Sequence, residues 1–311
     1  IREFGIAVLR EEGAEEATRQ AHALWFAGLA GEGAGELYGP AQAVWLDRLD
    51  REHGNFRAAL AWGLERGETA TARRLGASLW RFWLARSAFA EGSQWLRRVT
   101  EIDGDATSPD LAEVWYGLGA LLNRLGDYPA AQRAHGEALA IWRALGDKRG
   151  ESRTLTALAA LTRREADYAR ALTLLDEALA LSRDVGHEAG VATALNHIGL
   201  TLTIQGQDDE AERHFAESLA MHDRLGDRYA VSILLNNLGE IANRRGDLTG
   251  AAAYYEQALS LARELDSRDG IAAELVNLAG IRLRLGEVDS ARTLATEAVA
   301  ELRALGDVDY L

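Results

Sequence analysis

An all-α solenoid of helical hairpins, each about forty residues long, is predicted by three observations on the 311-residue sequence. The first is composition: alanine, leucine, arginine and glutamate dominate and there are only 3 prolines, which suits long helices with few rigid turns. The second is punctuation. Gly126-Asp127, Gly146-Asp147, Ala166-Asp167, Gly186-His187, Gly206-Gln207, Gly226-Asp227, Gly246-Asp247, Asp266-Ser267, Gly286-Glu287 and Gly306-Asp307 recur about every twenty residues. A glycine past the last helical residue takes the left-handed conformation that closes a helix, and the Asp after it caps the N–H groups of the next. The third is self-similarity, stronger at forty residues than at twenty, so that the unit is a pair of unlike helices.

Residues 1–69 read as an irregular helical region. Ile1, Phe4, Ile6, Val8 and Leu9 form an apolar cluster, and Ala21, Leu24, Trp25 and Leu29 recur at helical spacing, predicting two helices up to residue 27. The glycine-rich run Gly28–Gly35 predicts a loop; it does not fit a phosphate-binding G-x-G-x-x-G, since Glu36 stands where the third glycine belongs. Pro40 opens a longer helical stretch carrying Val44, Trp45, Leu49, Phe56, Leu60, Trp62 and Leu64, with a break expected near His53-Gly54. Residues 70–108 read as a degenerate first hairpin with Leu75, Leu79, Trp80, Trp83, Phe89, Trp95 and Leu96 as its core; an aromatic stripe at helical spacing is core more often than a ligand site.

Residues 109–311 carry five repeats, at 109–147, 148–187, 188–227, 228–267 and 268–307. Leu118-Gly119, Leu158-Ala159, Ile198-Gly199, Leu238-Gly239 and Leu278-Ala279 align in the first helix of each. In the second helix Ala131, Ala171, Ala211, Ala251 and Ala291 align, followed by His135, Leu175, Phe215, Tyr255 and Ala295, then Ala138, Ala178, Ser218, Ala258 and Ala298. Small residues in register let helices approach closely, and the large residue between them fills the space.

These Leu-Gly and Ala-x3-aromatic columns resemble the tetratricopeptide repeat, in a longer-helix variety, over about residues 70–307. The resemblance implies a right-handed superhelix whose concave wall is made by the first helix of each pair. A second resemblance lies in I-R-E-F-G at the start, G-P-A-Q-A-V-W-L-D-R-L-D-R-E-H-G-N-F-R-A-A-L-A-W from Gly39 to Trp62 and L-W-R-F-W…E-G-S-Q-W-L-R-R-V from Leu79 to Val99. It is similar to bacterial multidomain transcriptional regulators of the STAND ATPase class, of the MalT-like kind, although that family typically has Asp where this chain has Gly54. It implies an upstream ATPase domain in the same polypeptide and a helical sensor array after it. The start at Ile1 and the end of the last repeat at Asp307 fit a piece of a longer chain with further repeats.

The total charge of −14 speaks against a nucleic-acid surface, because phosphate binding is driven by basic side chains. The absence of cysteine removes disulfides, thiolate metal sites and cysteine nucleophiles. Lys148 is the only lysine and belongs to no phosphate loop, and no apolar run reaches the length of a membrane span, so a cytoplasmic protein without membrane contact is expected. His187-Glu188 lacks the second histidine of a zinc helix, Asp208-Asp209-Glu210 reads as a helix-start acidic cluster, and His214 and His222 have no third ligand. No serine stands in a nucleophile motif. No catalytic residue, metal or cofactor is therefore assigned.

Binding residues are sought on the first helices. Asn196, His197, Asn236, Asn237 and Asn277 fall on one expected wall, with Asn123, Glu240 and Asn243 beside them; an asparagine amide both donates and accepts, as a peptide backbone requires. Arg124, Arg164, Arg244 and Arg284 form a second column, interrupted by Ile204, which serves equally to complement helix dipoles. Facing inward with Arg153 and Arg163, they would select acidic ligands. The expected function is a non-catalytic ligand-sensing or protein-interaction module that binds a protein, a peptide or a small effector. The alternative is a constitutive scaffold for protein assembly.

Overall fold

Helix ends, more than helix interiors, set the architecture. The structure is a computed structural model that describes residues 9–37 and 41–308. An irregular part comprises α1 (Glu15–Glu36), α2 (Gln42–Arg51) and α3 (His53–Arg66). Hairpins follow as α4 (Thr69–Ala85) with α5 (Phe89–Thr100), α6 (Pro109–Arg124) with α7 (Tyr128–Leu145), and α8 (Lys148–Arg164) with α9 (Tyr168–Asp184). The chain continues with α10 (Glu188–Ile204) and α11 (Asp208–Leu225), α12 (Arg228–Arg245) and α13 (Leu248–Glu264), and α14 (Arg268–Arg284) and α15 (Val288–Val308). Among the described residues there is no strand, and no helix is long and apolar enough to cross a membrane.

The turn chemistry is that predicted. Gly126, Gly146, Gly186, Gly206, Gly226, Gly246 and Gly286 all have φ between +63° and +82°. Behind each, a backbone N–H reaches back into the last helical turn, as Asp127 N does to Leu122 O at 3.0 Å and Asp247 N to Ala242 O at 3.0 Å. The Asp side chain then caps the next helix: Oδ1 of Asp127, Asp167, Asp227 and Asp247 accepts the N–H of Ala130, Arg170, Ala230 and Gly250 at 2.9–3.2 Å. Ala166 (φ +62°) and Asp266 (φ +51°) hold the same conformation without glycine. The last marker behaves differently, since Gly306-Asp307 lies inside α15. Glycine ends a helix only where the chain turns away, and one interior glycine costs only about 1 kcal/mol.

One expectation for the N-terminal region is overturned. Gly28–Gly35 is not a loop; it is the C-terminal half of α1. Its glycines let other elements in: a Cβ on Gly33 would stand 3.1 Å from the Trp45 ring and 3.3 Å from Leu49, so that α2 packs on glycine itself. The buried face of α1 is Ala23, Phe26, Ala27, Leu29, Ala30 and Gly33, while Leu24 and Trp25 are 55% and 69% exposed. The alanines and glycine on this face allow α3 and α4 to approach closely, with Phe26 edge-on to Phe56 at 5.5 Å. Val44, one of the apolar residues of the next helical stretch, is 69% exposed. The expected break falls at Glu52, between α2 and α3. Ile1, Phe4, Ile6, Val8 and Pro40 lie outside the described residues.

The chain divides into two compact units, residues 1–161 and 162–311. In the first, Leu75, Leu79, Trp80, Trp83 and Leu96 are buried as expected, together with Phe56 and Phe82, whereas Phe89 and Trp95 are only partly covered. In both, glycine and aromatic columns interlock. A Cβ on Gly119 would lie 2.6 Å from the His135 ring; on Gly199, 2.6 Å from Phe215; and on Gly239, 2.7 Å from Tyr255. The three rings are 2%, 0% and 1% exposed. Where the first-helix position is Ala159 or Ala279, the second-helix partner in sequence is Leu175 or Ala295, with no ring at all.

Candidate ligand-binding face of the repeat helices

In the unit 162–311, α10, α12 and α14 present equivalent faces. Leu195, Ile198, Leu235, Leu238, Leu275 and Leu278 turn into the hairpins and are buried. Between them Asn196, His197, Asn236, Asn237 and Asn277 are only partly covered. The 3.6-residue period puts them on the side away from the partner helix.

The amides bond from one repeat to the next. Asn237 Nδ2 donates to Asn196 Oδ1 at 3.1 Å, and Asn236 Nδ2 donates to Glu274 Oε1 at 2.6 Å. Each bond uses part of a group that has two donor hydrogens and an oxygen with two lone pairs. The asparagines therefore tie neighbouring first helices together and keep hydrogen-bonding capacity on a half-exposed surface. His197 takes a bond from Arg163 Nη1 to its backbone O at 3.4 Å, and burial together with the Arg163 charge holds its ring below the ordinary histidine range.

The arginine column is largely occupied. Arg244 donates to Thr203 O at 2.9 Å and pairs with Asp208 at 3.1 Å, and Arg284 donates to Asn243 Oδ1. Arg164 is exposed at the end of α8. In the unit 1–161, Arg124 lies over the Phe89 ring at 5.5 Å and Asn123 is half-covered beside it. Arg153 pairs with Glu113 and lies 4.0 Å over the Tyr116 ring. Glu113 also meets Arg81 at 3.0 Å and Trp80 Nε1 at 3.0 Å. Burial pushes the Glu113 carboxyl up, but the two arginines outweigh it and hold it below the ordinary range. In this cluster one buried carboxylate is shared by two arginines and an indole N–H.

Sequence reasoning missed Glu274. Its column reads Val114, Thr154, Ala194 and Leu234 in the other repeats, all 0% exposed, and Glu274 itself is 4% exposed. A carboxylate in a column of core residues was the available signal. Asn236 holds Oε1, while Oε2 is buried without a hydrogen-bond partner. Burial pushes the carboxyl above its usual range, opposed by the amide of Asn236 and more weakly by that of Asn277. Glu240, exposed on the same face of α12, accepts from Tyr255 Oη at 3.4 Å; burial first, and then the two carboxylates, keep that phenol protonated. Among the described residues no cluster of His, Asp and Glu is arranged to hold a metal ion.

Comparison with known proteins agrees with this architecture. The tetratricopeptide repeat family model matches residues 110–184 and 190–264. No curated protein matches the chain. Among solved structures, BtubC (BKLC) from P. vanneervenii is 23% identical, with a TM-score of 0.58 over 71% of this chain and 90% of that one. NprR in complex with its cognate peptide NprX is 17% identical, with a TM-score of 0.57 over 73% and 66%. Aspartyl phosphate phosphatase F from Bacillus subtilis is 12% identical, with a TM-score of 0.64 over 95% and 73%. At these identities the likeness is one of fold, and residues 110–184 and 190–264 are the part that resembles tetratricopeptide repeats.

Proposed function

We propose that this chain is a non-catalytic binding module whose first-helix face on α10, α12 and α14 holds an extended peptide segment of a partner protein. The half-exposed amides of Asn196, Asn236, Asn237 and Asn277, set on successive first helices, carry this reading. An extended backbone offers a donor and an acceptor at every residue, and each amide–peptide bond contributes about 0.5–1.5 kcal/mol net. NprR, a fold neighbour, holds a peptide, which supports the same use of the architecture here. The charges favour no acidic ligand, since Arg163, Arg244 and Arg284 are engaged within the protein.

The test is binding of a random hexapeptide library to the wild-type chain and to the Asn196→Ala, Asn236→Ala, Asn237→Ala variant, with helicity checked by circular dichroism. The variant is expected to bind roughly tenfold to a thousandfold more weakly with its helices intact. Unchanged binding assigns the amides to packing alone and sinks the proposal.

The resemblance at residues 39–62 and 79–99 extends the proposal. The module belongs to a STAND-class regulator, and its occupancy shifts an upstream ATPase between resting and active states. In such a full-length protein, an ATPase response to effector that survives deletion of the repeats would refute this extension.

A further inference from the structure

A pocket of about 240 Å³ opens between the N-terminal halves of α12 and α14 and the end of α13. Tyr229, Ile233 and Leu265 give it apolar walls; Asn236 and Glu274 line its inner part, and Asp269 stands beside them. The volume is below the roughly 300–1,000 Å³ of sites that hold a whole small molecule, and suits one long side chain.

The charge of the pocket has one sign. Asp269 and Glu274 are the only charged residues among its lining. Arginines on the neighbouring stretches are paired elsewhere: Arg228 with Glu264, Arg263 with Glu297 at 2.6 Å, and Arg268 with Glu301 at 3.7 Å. Asp269 Oδ1 accepts from the Ser267 hydroxyl at 2.8 Å, and Glu274 Oε2 is buried without a hydrogen-bond partner. A buried carboxylate is costly unless it is paired, and an apolar wall that ends in such a group fits a chain with an aliphatic stem and a cationic head.

We infer that this pocket is a subsite for a basic side chain, lysine or arginine, of the bound peptide. The inference rests on the peptide-binding reading above and reverses the acidic preference expected from the arginine column. The head group meets the acidic inner end of the pocket formed by Glu274 and Asp269, and the stem lies against Ile233 and Leu265. The Tyr229 ring, 58% exposed, stands at the mouth.

Two measurements on the full chain test it. In the first, N-acetyl-arginine amide, N-acetyl-lysine amide and the neutral N-acetyl-glutamine amide are titrated while the Asn236 side-chain resonance is followed by NMR. The arginine or lysine probe should shift it, the glutamine probe should not, and Glu274→Gln should abolish the response. In the second, hexapeptides with Arg, Lys or Gln at a scanned position are compared. Peptides with a cation at one position should bind the wild type about 10- to 100-fold more tightly than they bind Glu274→Gln, and their Gln counterparts should bind both proteins equally. Ile233→Trp, at a 38% exposed position, should block the pocket without touching the carboxyl. Peptide binding without a cation preference overturns the subsite and leaves the binding function standing. A cation-dependent Asn236 shift without peptide binding supports the subsite and removes the peptide reading. Absence of both overturns both.

Discussion

His135 occupies the position that Phe215 and Tyr255 fill in later repeats, and it does so as a buried, neutral ring. Burial, with a smaller contribution from Arg153, lowers its pKa from 6.5 to about 4, and its Nδ1 has no partner to reward protonation. The unfolded chain therefore binds the proton first as pH falls. Stability contributed by neutral His135 is complete above pH 6.5 and is lost as pH falls towards 4, at up to about 1.4 kcal/mol per pH unit and about 3 kcal/mol in all. In urea unfolding at pH 7 and pH 4.5, His135→Phe should reduce the difference between the two pH values. An unchanged difference would assign the acid sensitivity to other groups. Ala166 gives a second test at this scale. Its φ of +62° places a Cβ in a conformation that costs about 1–2 kcal/mol. Ala166→Gly recovers that strain less the entropy that glycine adds to the unfolded chain, so the midpoint of denaturation should rise by the equivalent of about 0.5–1 kcal/mol.

At the scale of the element, the hairpin is held by glycine set against a ring. A Cβ at position 239 would meet Tyr255 at 2.7 Å, so Gly239→Ala should cost about 1–3 kcal/mol by overpacking. Adding Tyr255→Leu reproduces the Ala159 and Leu175 combination of an earlier repeat. The double variant should be more stable than the sum of the two single changes predicts, which a double-mutant cycle reads directly. This pairing was legible in the sequence because both columns recur in step with the forty-residue period. The helix ends were legible for the same reason, through repeated Gly-Asp. The helical Gly28–Gly35 run was not, because glycine's local preference was set against a contact with Trp45 and Leu49 that only the folded chain reveals. Leu24 and Trp25 misled in the same way, since apolar size does not say which face of a helix a neighbour will choose.

For the molecule as a whole, contacts run mainly between successive elements, and stability is correspondingly local. Hydrogen exchange of Gly239→Ala should quicken in α12, α13 and the helices beside them while α1–α6 keep their protection. Uniform loss would mean that the repeats unfold as one body. The candidate face was readable as a set of asparagines and arginines at repeat spacing, but the partners of those side chains were not. Whether Arg244 faces a ligand or Asp208, and whether Glu274 meets water or the inside of a repeat, depends on helix packing more than on period.

The interlock of glycine and ring also constrains how such an array is inherited. A duplication that copies a whole hairpin carries Gly199 with Phe215, or Gly239 with Tyr255, and each ring arrives with the space it needs. A crossover in the turn between two helices of a hairpin breaks that match. It leaves alanine under a ring in one product and glycine beneath a smaller side chain in the other, giving a clash or a void.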